Sequence, residues 1–246
     1  MSTITKITNN NDNFTAPAAN QTLVFVIRHA QTAWNLERRF QGQLDVPLSA
    51  EGETQAASVA DWLNSQHLHF ASIYTSDLLR ARQTAGPIGE RLELEPRPVE
   101  ALREIHAGEW QGLLTVEIEQ RYPGQMVRWH REPHQFRIPG GETIPEVQAR
   151  VVTWYGEAIR AHRGESIVVV SHGLAIRTLL VALNGWDLAD ADAMKAAAMG
   201  NTGVAVILSD HDSGLSSMLL LNSLRHLERA TGMEAAGERT NEPTAV

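Results

Sequence analysis

The sequence predicts an α/β protein whose mostly parallel sheet is covered by helices on both faces. Two observations carry that expectation. Short, branched, apolar runs are separated by stretches of helical periodicity along most of the chain. Two of those runs, Leu23–Ile27 (LVFVI) and Ile167–Val170 (IVVV), have no polar alternation, as strands buried on both faces should. The body also has no Ser/Gly linker, low-complexity tract or internal repeat, which makes residues 21–229 one domain.

Leu23–Ile27 is the first strand. A helix starts at Ser49, where a hydroxyl cap precedes Glu51 and Glu53 in the first turn, and ends near Asn64. Phe70–Tyr74 is the second strand, and Asp77–Arg91 a helix that Pro87 should kink or shorten. Thr143–His162 is long and amphipathic, with Val147, Val151, Trp154, Tyr155 and Ile159 near helical spacing. Ile167–Val170 is the cleanest buried strand, followed by a helix at Leu174–Leu183. Val204–Leu208 and Met218–Leu221 are the last two strands. Residues 1–20, rich in Asn and Thr, and the small, polar residues 230–246 read as mobile tails.

Composition excludes several classes of function. The chain has 246 residues, no cysteine and a formal net charge of −8. Without cysteine there is no disulfide scaffold, no thiolate-held zinc or iron–sulfur site and no thiol nucleophile. An acidic balance argues against a general nucleic-acid binder, which needs a basic face. No apolar run approaches the roughly 20 residues of a membrane span, and the opening residues lack the apolar core of a secretion signal. The expectation is a cytoplasmic protein.

Ligands of parallel sheets bind beyond the carboxyl ends of the strands, and there the sequence carries chemistry. The first strand runs into Arg28-His29-Ala30-Gln31-Thr32, and Ile167–Val170 runs into Ser171-His172-Gly173. Each histidine precedes a helix or turn start whose free N–H groups favour an anion. After Phe70–Tyr74, Arg80 falls in the first turn of a helix, where it would add a second guanidinium fork for a phosphoryl group beside Arg28. Glu104 lies in a loop, Leu102 to Trp110, that also holds Gly108.

These segments together resemble the histidine phosphatase superfamily, which includes the cofactor-dependent phosphoglycerate mutases. The likeness rests on RHxxT…N (Arg28, His29, Thr32, Asn35), Gly42, SDLxRAxxTA (Ser76–Ala85), LREIHxGxWQG and SHG. It implies a three-layer α/β/α sandwich of the phosphoglycerate-mutase type and a small phosphorylated metabolite as substrate. It implies that His29 attacks phosphorus and becomes transiently phosphorylated, a task suited to a neutral imidazole. By the same likeness, Arg28, Arg80 and His172 form the phosphate cradle, with Asn35, Gln41, Gly42 and Gly173 at phosphate- or substrate-contacting positions. Glu104 is then the acid for the leaving oxygen and later the base for water, which asks for a carboxyl still protonated when phosphate binds. The motif usually reads Arg-His-Gly; Ala30 here would cost of order 1 kcal/mol if the position needs φ > 0.

Within that superfamily the loop after Glu104 and Pro139-Gly140-Gly141-Glu142-Thr143 resemble the phosphatase branch. No Arg-Arg pair lies between Gln111 and Thr143, where the mutases have one. QGQLD (Gln41–Asp45) and MGNTG (Met199–Gly203) are similar to glucosyl-3-phosphoglycerate phosphatases. A phosphomutase is the alternative and a non-catalytic phosphate-binding protein a remote one. Specificity is expected from the insert Trp110–Gly141, through Arg128, Trp129, Arg131, His134, Phe136 and Arg137. No cofactor and no metal are expected: His67 and His69 sit in a turn without a nearby acid beyond Asp61, and Pro133 interrupts the shared face of His130 and His134. Asp190-Ala191-Asp192 lies in a helical, not a strand-end, context. The expected partner is the phosphorylated small molecule, with no nucleic acid, no membrane and room for a homodimer.

Overall fold

The computed structural model describes residues 14–230. Residues 1–13 and 231–246, which hold most of the two expected tails, lie outside the described residues. The chain runs β1 (Gln21–Arg28), α1 (Ala33–Glu37), α2 (Ala50–Asn64), β2 (Phe70–Ser76), α3 (Leu79–Leu92), β3 (Pro96–Val99) and α4 (Thr115–Arg121). It continues with α5 (Gln125–Arg131), α6 (Ile144–Ala161), β4 (Ser166–Ser171), α7 (Gly173–Leu183), α8 (Ala191–Ala196), β5 (Val204–Asp210), β6 (Ser216–Ser223) and α9 (Arg225–Ala230).

The strands form one sheet in the order β3-β2-β4-β1-β5-β6. The pairs β3–β2, β2–β4 and β4–β1 are parallel, while β1–β5 and β5–β6 are antiparallel. The expected α/β sheet, mostly parallel and covered on both faces, is therefore what the chain builds. Alternation along each central strand divides the core. Val24 and Val26 of β1, Ile167 and Val169 of β4, and Ala205 and Ile207 of β5 face the cluster that includes Val147 and Val151 of α6 and Leu179 of α7. Leu23, Phe25, Ile27, Val168, Val170, Val204 and Val206 face the opposite cluster, with Val59 and Leu63 of α2 and Ile88 of α3. An unbroken apolar run is the sequence signature of a strand wetted on neither side, and both faces here are covered.

The helix starts obey local chemistry. Ser49 accepts from the Gly52 N–H at 3.1 Å, and Thr143 makes a capping box with Glu146 at the head of α6. Pro87 does not shorten α3, which runs on to Leu92. The lost hydrogen bond is offset by burial of Ala81, Ala85 and Ile88 against the sheet. Two prolines disguise β3 (PRPV) in the sequence; its place at the sheet edge is where strands tolerate proline.

The insert after Glu104 is anchored from within. Trp110 is fully buried, stacks on Phe136 at 5.4 Å, and meets Phe40 and Trp129 edge-on. Its indole N–H is buried without a partner. Trp110→Ala is therefore expected to destabilise the protein by about 3–5 kcal/mol, read from urea unfolding. Trp110→Phe, which removes the unsatisfied donor along with part of the ring, should cost less than half as much.

Candidate active site

The parallel pairing of β1 with β4 aligns Arg28 with Ser171. Both strands therefore end level, and the next residue of each is a histidine. The His29 N–H donates to the Ser171 carbonyl at 2.8 Å, and the two imidazole centroids lie 5.1 Å apart at 55°. Both rings are buried. A cleft of about 700 Å³ opens at this strand end, lined by Arg28, His29, Asn35, Gln41, Gly42, Arg80, Glu104, Gly173 and Arg177 among others. His172 lies behind this lining, flanking His29.

The protonation of His29 is set by its neighbours. Its Nδ1 lies 2.7 Å from the Ala30 carbonyl, which can only accept, so Nδ1 carries the proton and Nε2 keeps the lone pair. Burial, and then the guanidinium groups of Arg80 and Arg28, hold its pKa well below the usual imidazole range. The ring is thus neutral with a free Nε2, the form a nucleophile requires. His172 is depressed by burial and by Arg80, and neither of its ring nitrogens has a protein partner.

The arginines are held by backbone carbonyls. Arg28 donates through Nη1 to Met199 at 2.7 Å. Arg80 donates to Leu44 at 2.9 Å and to Gly42 at 2.8 Å. Neutral acceptors orient these cations without neutralising them. Burial pulls both down to about 10, still far above neutral pH, so both remain charged. The Nε of each is buried without a partner. Buried donors left unpaired are costly to the fold.

Glu104 lines the same cleft. Its two carboxyl oxygens accept from the Ile105 N–H at 2.9 Å and from the Leu174 N–H at 3.1 Å, the latter at the start of α7. Its backbone carbonyl accepts from Gln43 Nε2 at 3.0 Å and from Arg150 Nη2 at 3.0 Å. Arg150 also donates to the Ala101 and Arg103 carbonyls and pairs with Glu142. One guanidinium thus fastens the start of the Glu104 loop to α6.

Asn35 spends its Oδ1 on the Thr32 N–H and hydroxyl, capping α1, so it offers a ligand its amide N–H groups. Gly42 adopts φ 52°, and a side chain there would collide with Gln111. Gln41 Oε1 is buried without a partner. Ala30 has no positive φ and its N–H donates to Thr84 Oγ1 at 2.9 Å, so the missing glycine brings no backbone strain.

The insert does not supply the cleft wall. Trp129 and Phe136 are buried in the core, Arg128 lies over the Phe136 ring, and Arg137 pairs with Glu146; none of the six named insert residues lines the cleft. The far wall comes instead from Trp34, Arg38 and Arg39 near α1 and from Lys195 and Met199 after α7. Two further polar residues were not named as site residues, although Asn201 lies within the MGNTG segment. Asn201 donates to the His29 carbonyl at 3.0 Å and to Asn35 Oδ1 at 3.3 Å. Arg177 stands four residues after Gly173, the one signal that could have placed it on the same helix face. Among the described residues no group of three or more His, Asp or Glu side chains gathers to hold a metal. No helix among them is long and apolar enough to cross a membrane.

A model of the histidine phosphatase superfamily (branch 1) matches residues 24–222. The chain is 38% identical over 165 residues to phosphoserine phosphatase 1 of Hydrogenobacter thermophilus, covering 67% of this chain and 77% of that one. It is 33% identical over 207 residues to the 2,3-bisphosphoglycerate-dependent phosphoglycerate mutase of Bartonella henselae, covering 82% and 98%. Among solved structures, a mycobacterial glucosyl-3-phosphoglycerate phosphatase complexed with VO3 superposes with a TM-score of 0.72 at 33% identity, covering 82% of this chain and 98% of that chain.

Three buried histidines are depressed: His29, His172 and His226, the last to about 4 by burial. Below about pH 6.5 the unfolded chain takes up protons that the fold refuses, so stability falls as pH drops. Thermal melts of the ligand-free protein should show Tm declining between pH 6.5 and pH 4. His226→Asn should flatten that slope by about one proton; an unchanged slope would contradict the assignment.

Proposed function

The chain belongs to the histidine phosphatase superfamily, and from that membership and the cleft geometry we propose a phosphomonoesterase that releases phosphate from small phosphorylated metabolites. One observation carries the reading: a neutral imidazole with a free Nε2, set among buried cationic donors that no protein group satisfies. Such a site is built for an anion with an electrophilic centre.

In the proposed reaction the ester's phosphoryl oxygens are gripped by the guanidinium groups of Arg28 and Arg80 and by the amide of Asn35, with His172 packed against His29 from behind the lining. His29 Nε2 attacks phosphorus, and the bond to the ester oxygen breaks. Glu104 gives its proton to that oxygen, and the alcohol departs. Glu104, now a carboxylate, takes a proton from water, whose oxygen attacks the phosphorus of the phosphohistidine. The P–N bond breaks, inorganic phosphate leaves, and His29 and Glu104 return to their starting states. The phosphoryl group in flight is loose and negatively charged, so most of the catalysis is positioning and charge stabilisation.

The hydrolytic reading is favoured over a mutase by what the insert leaves out of the cleft. A mutase must hold its product for a second orientation, and the insert that carries the mutases' paired arginines contributes no cation to this cleft. A charged ester does not leave a cell by diffusion, and we assign the enzyme to the cytoplasm for that reason. Residues 21–229 are taken as its one catalytic domain.

Hydrolysis of p-nitrophenyl phosphate should proceed in excess EDTA and be abolished in His29→Ala. A loss of activity to chelation would point to a metal enzyme instead. Glu104→Gln should slow turnover by about 10²–10⁴-fold while keeping orthovanadate inhibition, which mimics the five-coordinate phosphorus. Wild-type rates in that variant would remove its acid–base role.

A further inference from the structure

Residues 199–203 fasten the Arg28–His29 segment after it leaves the sheet. The Met199 carbonyl accepts from Arg28 Nη1 at 2.7 Å, and the Gly203 carbonyl from the Arg28 N–H at 3.2 Å. The Thr202 N–H donates to the Arg28 carbonyl at 3.1 Å, and Asn201 Nδ2 to the His29 carbonyl at 3.0 Å. The nucleophile of the proposed reaction and its neighbouring arginine therefore take part of their position from this short segment.

The segment is a tight turn, closed by the Gly203 N–H on the Gly200 carbonyl at 3.0 Å, and Thr202 stands third in it with φ 55°. Left-handed backbone at that place favours glycine or asparagine, and a β-branched residue adopts it only under strain. What threonine adds there is its hydroxyl. Oγ1 donates its one proton to the Asn201 carbonyl at 2.7 Å, so it accepts from His226 Nε2 at 2.9 Å. His226 is buried on α9, its ring centroid 6.4 Å from that of Trp62 on α2. Thr202 is fully buried too, so bulk solvent does not make up a bond lost there. The other end of the turn has its own prop, Asn222, whose Oδ1 accepts from the Gly200 N–H at 2.8 Å.

We propose that His226 is a positioning residue of the active site: through the Thr202 hydroxyl it holds the strained turn against the Arg28 and His29 backbone. Neither His226 nor Thr202 lines the cleft, so both act through what they hold. A displacement of about 1 Å in a reacting group can cost 10²-fold in rate, which gives a remote prop a catalytic consequence. The inference rests on the phosphatase reading for the roles of His29 and Arg28.

The test separates positioning from mere stability. His226→Phe keeps a ring and deletes the donor, whereas His226→Gln keeps an N–H of similar reach. Well below the Tm of each variant, kcat for p-nitrophenyl phosphate should fall about 10–100-fold in His226→Phe and stay within about threefold of wild type in His226→Gln. Thr202→Val, which keeps the β-branch and deletes the hydroxyl, should show the same fall, and the double variant His226→Phe/Thr202→Val should lose no more than either single one. A purely structural role lowers Tm and leaves kcat per folded molecule unchanged; that result, or additive losses in the double variant, overturns the proposal. Long-range proton–nitrogen NMR of the His29 ring reads its placement without turnover. Its signals should shift in His226→Phe and return in His226→Gln, and unchanged signals in His226→Phe likewise overturn the proposal. If His226→Phe does not fold, Thr202→Val carries both measurements. Failure of the phosphatase reading shows separately, as no phosphate release by the wild-type protein while the His29 signals still respond to His226→Phe.

Discussion

The site depends on the register between β1 and β4. Opposite Arg28 stands Ser171, so two strands remote in sequence stop at the same level and each hands the chain to a histidine. A slip of one residue would invert the faces of every side chain in one strand. It would send Val24 and Val26 into the layer that Phe25 and Ile27 now fill, a cost spread over both core clusters. The core thereby enforces the spacing of the site. The same register explains why Ser171 serves twice: its carbonyl holds the His29 backbone, and its hydroxyl donates to the Leu102 carbonyl at 2.7 Å, just before the acid loop.

That register concentrates positive charge inside an acidic protein. The net charge of −8 is spread over a surface where salt damps it beyond about 8 Å. The cleft cations act at hydrogen-bond range, with their desolvation cost already met by the fold. Arg28 and Arg80 are oriented by carbonyl oxygens rather than carboxylates, which fixes geometry and leaves the charge uncancelled. A carboxylate partner would stabilise the resting protein and compete with the substrate. The site therefore trades stability of the empty state for affinity toward an anion.

Legibility in the sequence tracked how local each cause is. The two histidines and Arg28 were readable because an apolar run ending in a charged residue marks a strand end in the chain itself. Arg80 is placed by the same strand-end rule, at the start of the helix after the second strand, whereas the role of Glu104 needs the resemblance, since neither spacing nor periodicity brings its loop to β1. The insert misled for a physical reason: an Arg- and Trp-rich stretch looks like a binding surface, yet Trp110, Trp129 and Phe136 found each other and closed into core. Asn201 is marked only as part of MGNTG, and Arg177 not at all, because what each does in the cleft is a main-chain contact or a lack of partners, and a sequence displays neither. Local rules were also overridden, with Pro87 inside α3 and two prolines inside β3; burial and an edge position outweigh propensity there.

The acid loop shows how the phosphatase-type motifs divide the work. Pro139-Gly140-Gly141-Glu142-Thr143 contributes no atom to the cleft lining, yet Glu142 accepts from the His106 N–H at 2.8 Å and pairs with Arg150. Arg150 in turn donates to three carbonyls of the segment Ala101–Glu104. Gly108 and Gly141 are pressed together so closely that a side chain on either would meet main chain. The glycines let two loops touch, the touching loops place Glu142 under Arg150, and Arg150 sets the backbone from which Glu104 reaches Leu174. In the proposed reaction the Glu104 carboxyl gives and then takes a proton, a task that gains most from rigidity. Here that rigidity comes from residues outside the cleft lining.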